Sequence, residues 1–154
     1  MRRTSRKRLI PVVLLGVLLA GCDMPRDPNG TIERARGGVL RVGAATAPPW
    51  VVHRTDGRPV GLEAELVTEF ARSLDARVEW HRGSADELLE KLQKRELDVV
   101  IAGLTATTPW KTHVGITRPY RKDHEHERVL AVAAGENATL VALDRLIESR
   151  TPVQ

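Results

Sequence analysis

The chain has one cysteine, Cys22, in 154 residues, so it cannot form an internal disulfide, a dithiol redox pair or a thiolate-rich metal site. Aromatic residues are nearly as scarce, with three Trp, one Tyr and one Phe. No nucleophile elbow, phosphate-binding glycine loop, HExxH helix or paired-carboxylate arrangement occurs, which leaves no support for an enzyme and no cofactor motif. There is no internal repeat and no low-complexity segment. Acidic residues are absent before Cys22, whereas Arg2, Arg3, Arg6, Lys7 and Arg8 all lie there. Those five account for the basic balance of 24 Lys and Arg against 20 Asp and Glu; from Cys22 onward the count is 19 against 20. A clustered basic surface for nucleic acid is therefore not indicated.

The first 21 residues have the layout of a secretory signal: a basic start, an apolar run from Leu9 to Leu19, then small residues. The run is shorter than the roughly 20 residues of a spanning helix, and Pro11 and Gly16 interrupt it. Leu19-Ala20-Gly21-Cys22 resembles the lipobox of bacterial lipoproteins. That resemblance implies cleavage before Cys22 and acylation of its thiol, with palmitate among the chains. Two or more acyl chains anchor stably, because each buried methylene contributes about 0.8 kcal/mol. Asp23 resembles the retention signal of inner-membrane lipoproteins, which favours the periplasmic face of the inner membrane.

Residues 22–38 contain Pro25, Pro28, Asn29 and Gly30 without a sustained apolar period and read as a flexible tether. Residues 39–150 suit one modest domain. Val39 to Ala45 reads as a first strand. Val51 to His53 and Pro59-Val60 flank Thr55-Asp56-Gly57-Arg58, a hairpin signal. Leu62, Leu66, Val67, Phe70, Ala71 and Leu74 fall on one helical face, with Glu63, Glu65, Glu69 and Arg72 expected outward. Arg77 to His81 reads as a strand, and Ser84 with Glu87 as a capping box before a helix whose inner face is Leu88, Leu89 and Leu92. Leu97 to Ala102, ending in Gly103, reads as a strand buried on both faces. Val129 to Ala134 reads as a late strand, and Asn137 as the cap of a last helix carrying Leu140, Leu143, Leu146 and Ile147. Alternating strands and helices give an α/β fold with a mostly parallel sheet.

Leu40-Arg41-Val42-Gly43, Pro48-Pro49-Trp50, Gly61-Leu62-Glu63-Ala64-Glu65-Leu66, Leu97-Asp98-Val99-Val100, Gly103-Leu104-Thr105-Ala106-Thr107 and Thr117-Arg118-Pro119-Tyr120 occur in an order and spacing that resembles the first lobe of the family 3 periplasmic solute-binding proteins. The resemblance implies one lobe of a type II periplasmic-binding-protein-like fold, a small-molecule solute as ligand, and an ABC permease or a sensor as partner. It implies ligand contacts at Gly103 and Thr105, with Trp50 offering an aromatic face; the Thr105 hydroxyl serves equally well as a turn cap. Where amino-acid receptors of this family carry a carboxylate-clamping arginine, this chain has Trp110 followed by Lys111. Lysine cannot reproduce the arginine fork, so Trp110 either stacks on a ring solute or packs as core. Only Arg121 to Arg128 separate Tyr120 from the late strand, too few residues for a second lobe. The segment 39–120, with 129–150 as return strand and closing helix, thus reads as a lone lobe offering an open half-site of weak affinity. The other reading is a protein-interaction or vestigial lobe that has lost its ligand. His124 and His126, two residues apart, would face one side if the segment is extended, as zinc ligands sometimes do, but without an evident third ligand; a solvated charged loop accounts for them, and no metal is assigned.

The export reading makes a direct prediction. Cys22→Ala should abolish incorporation of labelled palmitate and block cleavage, whereas equal labelling of both chains would disprove lipidation at Cys22.

Overall fold

The computed structural model describes residues 27–124 and 126–150; the signal sequence, Cys22, Asp23 and the start of the expected tether lie outside them. In chain order the elements are α1 (Thr31–Ala35), β1 (Val39–Ala44), β2 (Val52–His53), β3 (Pro59–Val60), α2 (Leu62–Ser73), β4 (Arg77–Arg82), α3 (Ala85–Gln93), β5 (Val99–Thr105), a 3-10 turn (Pro109–Thr112), β6 (Gly115–Ile116), β7 (Arg121–Asp123), β8 (His126–Val132) and α4 (Asn137–Arg150). The main sheet runs β4-β1-β5-β8-β6, with β7 also on β8, while β2 and β3 form a separate antiparallel pair.

This is the α/β lobe expected, and its sheet is mixed. Parallel pairing is confined to β4-β1 and β1-β5, whose connections run through α2 and α3. β8 returns antiparallel to β5, and β6 and β7 pair antiparallel to β8. The segment after Tyr120, expected as a loop, instead pairs on itself: Arg121 with Arg128, Lys122 with Glu127 and Asp123 with His126, a β7-β8 hairpin. β8 accordingly starts three residues before the late strand expected at Val129.

Strand alternation sorts the core onto two faces. Leu40, Val42 and Ala44 of β1, Val99 and Ile101 of β5, and Leu130 and Val132 of β8 meet Leu66, Val67 and Phe70 of α2 and Leu143 and Ile147 of α4. Val100 and Ala131 face the other way, onto Leu88, Leu89 and Leu92 of α3. Gly43 is required on that second face, because a Cβ there would come within 2.8 Å of the Leu97 side chain. Ser84 caps α3 by accepting from the Glu87 amide at 3.3 Å, while the Glu87 carboxylate pairs with Lys91 at 3.1 Å.

Two polar details depart from the sequence reading. From Asp27 onward the stretch expected as tether packs on the domain, with Thr31 and Ala35 of α1 buried. Asn137 is not the cap of α4; it is the helix's first residue. The orphan Thr139 amide is satisfied by Asp27, whose carboxylate accepts from Thr139 N at 2.9 Å, Thr139 Oγ1 at 2.6 Å and Ile32 N at 3.2 Å. Beside it the buried Glu136 carboxylate accepts from Asn29 Nδ2 at 2.7 Å and Thr31 N at 3.3 Å. Burial pulls Glu136 upward, but these hydrogen bonds outweigh it and hold the group below the usual carboxylate range.

Helix-cap losses typically amount to about 1 kcal/mol. Asp27→Ala should therefore lower stability in urea denaturation by about 1–2 kcal/mol, and Asn137→Ala should change it by much less. The reverse ranking would return the cap to Asn137.

Candidate functional site

Open α/β sheets place their ligands outside the carboxyl ends of parallel strands, and here that end is formed by β1, β5 and the turn after β1. Ala47 and Val51 exchange backbone hydrogen bonds of 2.9 Å across Pro48-Pro49-Trp50, which includes a cis Pro48-Pro49 bond. This tight turn projects Trp50 over the end of β5. Gly61 supports it from below: its φ is +114°, and a Cβ there would lie 2.3 Å from the Trp50 carbonyl oxygen. The same carbonyl accepts from the Glu63 amide in the first turn of α2 at 3.4 Å.

Glu63 is the group that sequence periodicity misplaced. Expected on the outer face of α2, its side chain is fully buried. The carboxylate accepts from the Gly103 amide at 3.1 Å and from the Tyr120 hydroxyl. Burial pushes the Glu63 carboxyl up to about 7, and the bonds from Tyr120, Gly103 and Ala102, with the charge of Arg128, offset only part of that rise. Burial and the adjacent Glu63 carboxylate together hold the Tyr120 phenol above its ordinary value. No local signal marks Glu63, since its partners lie 40 and 57 residues away in sequence.

Gly103 is held on both sides. The register of β5 against β8 shifts between Val100 and Leu104, a bulge that takes the Gly103 peptide out of the ladder. Its φ is +61°, and a Cβ there would lie 2.9 Å from Ala47 Cβ and 3.1 Å from Trp50 Cδ1. Glycine is thus required here by the approach of Trp50 and Ala47. The Gly103 carbonyl accepts from Arg128 Nη1 at 2.9 Å, Arg128 Nε donates to Asp123 Oδ2 at 3.2 Å, and the guanidinium carbon lies 5.1 Å from the Trp50 ring centroid. Tyr120 meets Trp50 edge-on, with centroids 6.1 Å apart. Sequence reasoning placed Arg128 only at the end of a linking segment.

The four residues expected at the site separate in the structure. Trp50 and Gly103 are in direct apposition, and Thr105 lies two residues further along β5. The Thr105 hydroxyl is 3.0 Å from that of Thr107, and Thr105 faces a shallow cleft of about 270 Å³ shared with Lys122, His124, His126 and Glu127. Trp110 is elsewhere. It packs with the α3-side cluster while Trp50 packs with the α2-side one, its indole N–H donates to Asp86 at 3.0 Å, and its ring meets His113 edge-on. Among the described residues no group of three or more His, Cys, Asp or Glu is placed to hold a metal ion, and no helix is long and apolar enough to cross a membrane.

Comparison with known proteins agrees with the geometry. Residues 40–143 match the sequence profile of the bacterial extracellular solute-binding proteins, family 3. The arginine-bound form of domain 1 from TmArgBP superposes with a TM-score of 0.68 at 26% identity, covering 76% of this chain and 97% of that one. An ancestral arginine-binding protein bound to arginine superposes at 0.50 with 37% identity, over 57% of this chain and 39% of that one. Membrane-bound lytic murein transglycosylase F of Vibrio cholerae is 37% identical over 94 residues, which is 60% of this chain and 18% of that protein. The chain therefore spans under a fifth of that relative's length.

The raised Glu63 carboxyl sets a pH dependence. Between its ordinary value of 4.5 and about 7 the folded state binds a proton that the unfolded state lacks. The associated stability is complete below 4.5 and is lost as pH rises through 7, roughly 3 kcal/mol in all. Asp98, which burial raises but its bonds from Arg41 and Arg34 hold lower overall, and Glu136 titrate below this window. Glu63→Gln should flatten the fall in urea-derived stability between pH 5 and 7; parallel curves for the two proteins would refute the assignment.

Proposed function

Because the chain belongs to the bacterial extracellular solute-binding proteins of family 3, we propose that it is a single solute-binding lobe, tethered by lipid on Cys22 at the periplasmic side of a membrane. It takes a small solute weakly and presents it to an ABC importer or a sensor. The family binds small solutes and works with ABC transporters. The observation that carries the reading is the apposition of the Trp50 ring and the Gly103 peptide at the carboxyl end of β5, the place where this architecture receives ligands. That domain 1 of TmArgBP is arginine-bound on its own supports a lone lobe as a binding unit.

Weak affinity follows from two features. Closure of a second lobe normally buries the solute, and here the chain turns back through the β7-β8 hairpin instead. The position of the carboxylate clamp is Trp110, whose N–H is engaged by Asp86. Each charge-assisted bond of such a clamp contributes about 1.5–3 kcal/mol. The solute class that suits the remaining surface is cationic or aromatic, recognised by Trp50; the separation of the two tryptophans across the sheet does not favour one solute touching both. The cover that Arg128 lays on Trp50 favours the second reading, a lobe kept for protein interaction after losing its solute. No catalytic role is proposed, and the murein-directed activity in the name of the Vibrio relative is not extended to this chain.

Titration calorimetry against a panel of amino acids, polyamines and quaternary amines tests the reading. Standard L-amino acids should bind no tighter than roughly millimolar, and Trp50→Ala should remove whatever binding is found. Micromolar affinity that survives both Trp50→Ala and Trp110→Ala would place the site elsewhere.

A further inference from the structure

We infer that the half-site is a guanidinium cradle and that Arg128 is its resident occupant, a ligand built into the chain that any solute must displace. The inference rests on the proposed solute-binding reading and narrows it to one chemistry. A guanidinium is planar, carries five donors and prefers an aromatic face, a carbonyl and a carboxylate around it. Arg128 meets all three: the Trp50 ring at 5.1 Å, the Gly103 carbonyl at 2.9 Å and the Asp123 carboxylate at 3.2 Å.

Two of the three partners, Trp50 and Gly103, are held without help from Arg128. Trp50 is fixed by the Ala47–Val51 turn and by Gly61, and the Gly103 amide is fixed by the buried Glu63. The Gly103 carbonyl is turned out of the ladder by the β5 bulge. Arg128 reaches this point from β8, where its backbone pairs with Thr105 on one side and Arg121 on the other. Its side chain is 18% exposed and that of Asp123 30%, so the pair borders solvent. A tethered occupant of this kind lowers the apparent affinity of a free ligand by the fraction of time the cradle is open. A lobe whose Arg128 is out one tenth of the time loses about tenfold in affinity.

The test compares full-length wild-type and Arg128→Ala chains, kept in detergent, titrated with L-arginine, with agmatine, and with L-citrulline as the neutral isostere. Arg128→Ala should bind L-arginine and agmatine at least about tenfold more tightly than wild type, should show no gain for citrulline, and should lose the gain when Trp50→Ala is added. A cooperatively melting Arg128→Ala chain with arginine affinity within twofold of wild type would overturn the inference, and so would an equal gain for citrulline. If Arg128→Ala does not fold, Arg128→Gln keeps part of the stem, removes the guanidinium and leaves the cradle intact, and it should give a gain in the same order; no gain there overturns it equally. Should arginine gain nothing while another solute binds wild type through Trp50, the cradle inference fails and the solute-binding reading stands. Should no solute bind either chain, both fail.

Discussion

The buried Glu63 carboxyl is the interaction on which the upper end of this lobe depends. It rides in the first turn of α2, accepts from the Gly103 amide on β5 and from the Tyr120 hydroxyl ahead of the hairpin, and so ties three segments far apart in sequence to one point. Trp50 then has a fixed floor, since Gly103 lies under its edge and Tyr120 against its side. A carboxyl group withdrawn from water is costly unless every oxygen is engaged. Both oxygens of Glu63 are engaged, yet burial still outweighs its partners and keeps the proton near neutrality.

The opposite end of the sheet is pinned by charge of a different kind. Asp98, nearly inaccessible, accepts from Arg34 Nη2 at 2.5 Å, from the Arg41 amide at 2.8 Å and from Arg41 Nη2 at 2.8 Å, joining α1, β1 and the entry to β5. Arginine forks favour the ionised form, so Asp98 stays charged where Glu63 tends to the neutral acid. Between these ends, β8 and α4 close the apolar faces with Leu130, Val132, Leu143 and Ile147. They do the work of a complete lobe after a hairpin of a few residues.

Most of the architecture was legible because it rests on local pattern. The α2 face of Leu66, Val67 and Phe70, the α3 face of Leu88, Leu89 and Leu92, and the β2-β3 turn follow from periodicity and turn chemistry that need no tertiary information. What escaped were polar groups whose partners are remote. Glu63 reads as an outward helix residue until the bulge of β5 delivers an amide to it, and Asp27 reads as tether until it caps a helix 112 residues later. Arg128 reads as the end of a loop, because nothing local reveals that pairing with Thr105 carries it across Gly103. Trp50 and Gly103 were found together through a family pattern, and the same pattern could not tell that Trp110 lies on the other face of the sheet.

Among the described residues the outermost strand, β4, pairs only with β1 and leaves its far edge open. Arg77, Glu79 and Arg82 are exposed along it, and Glu79 is paired with His81 at 2.9 Å. A strand from a second molecule approaching that edge would have to strip water from several charged groups before forming its first backbone hydrogen bond. The charged side chains along β4 thereby disfavour sheet-to-sheet pairing at that edge.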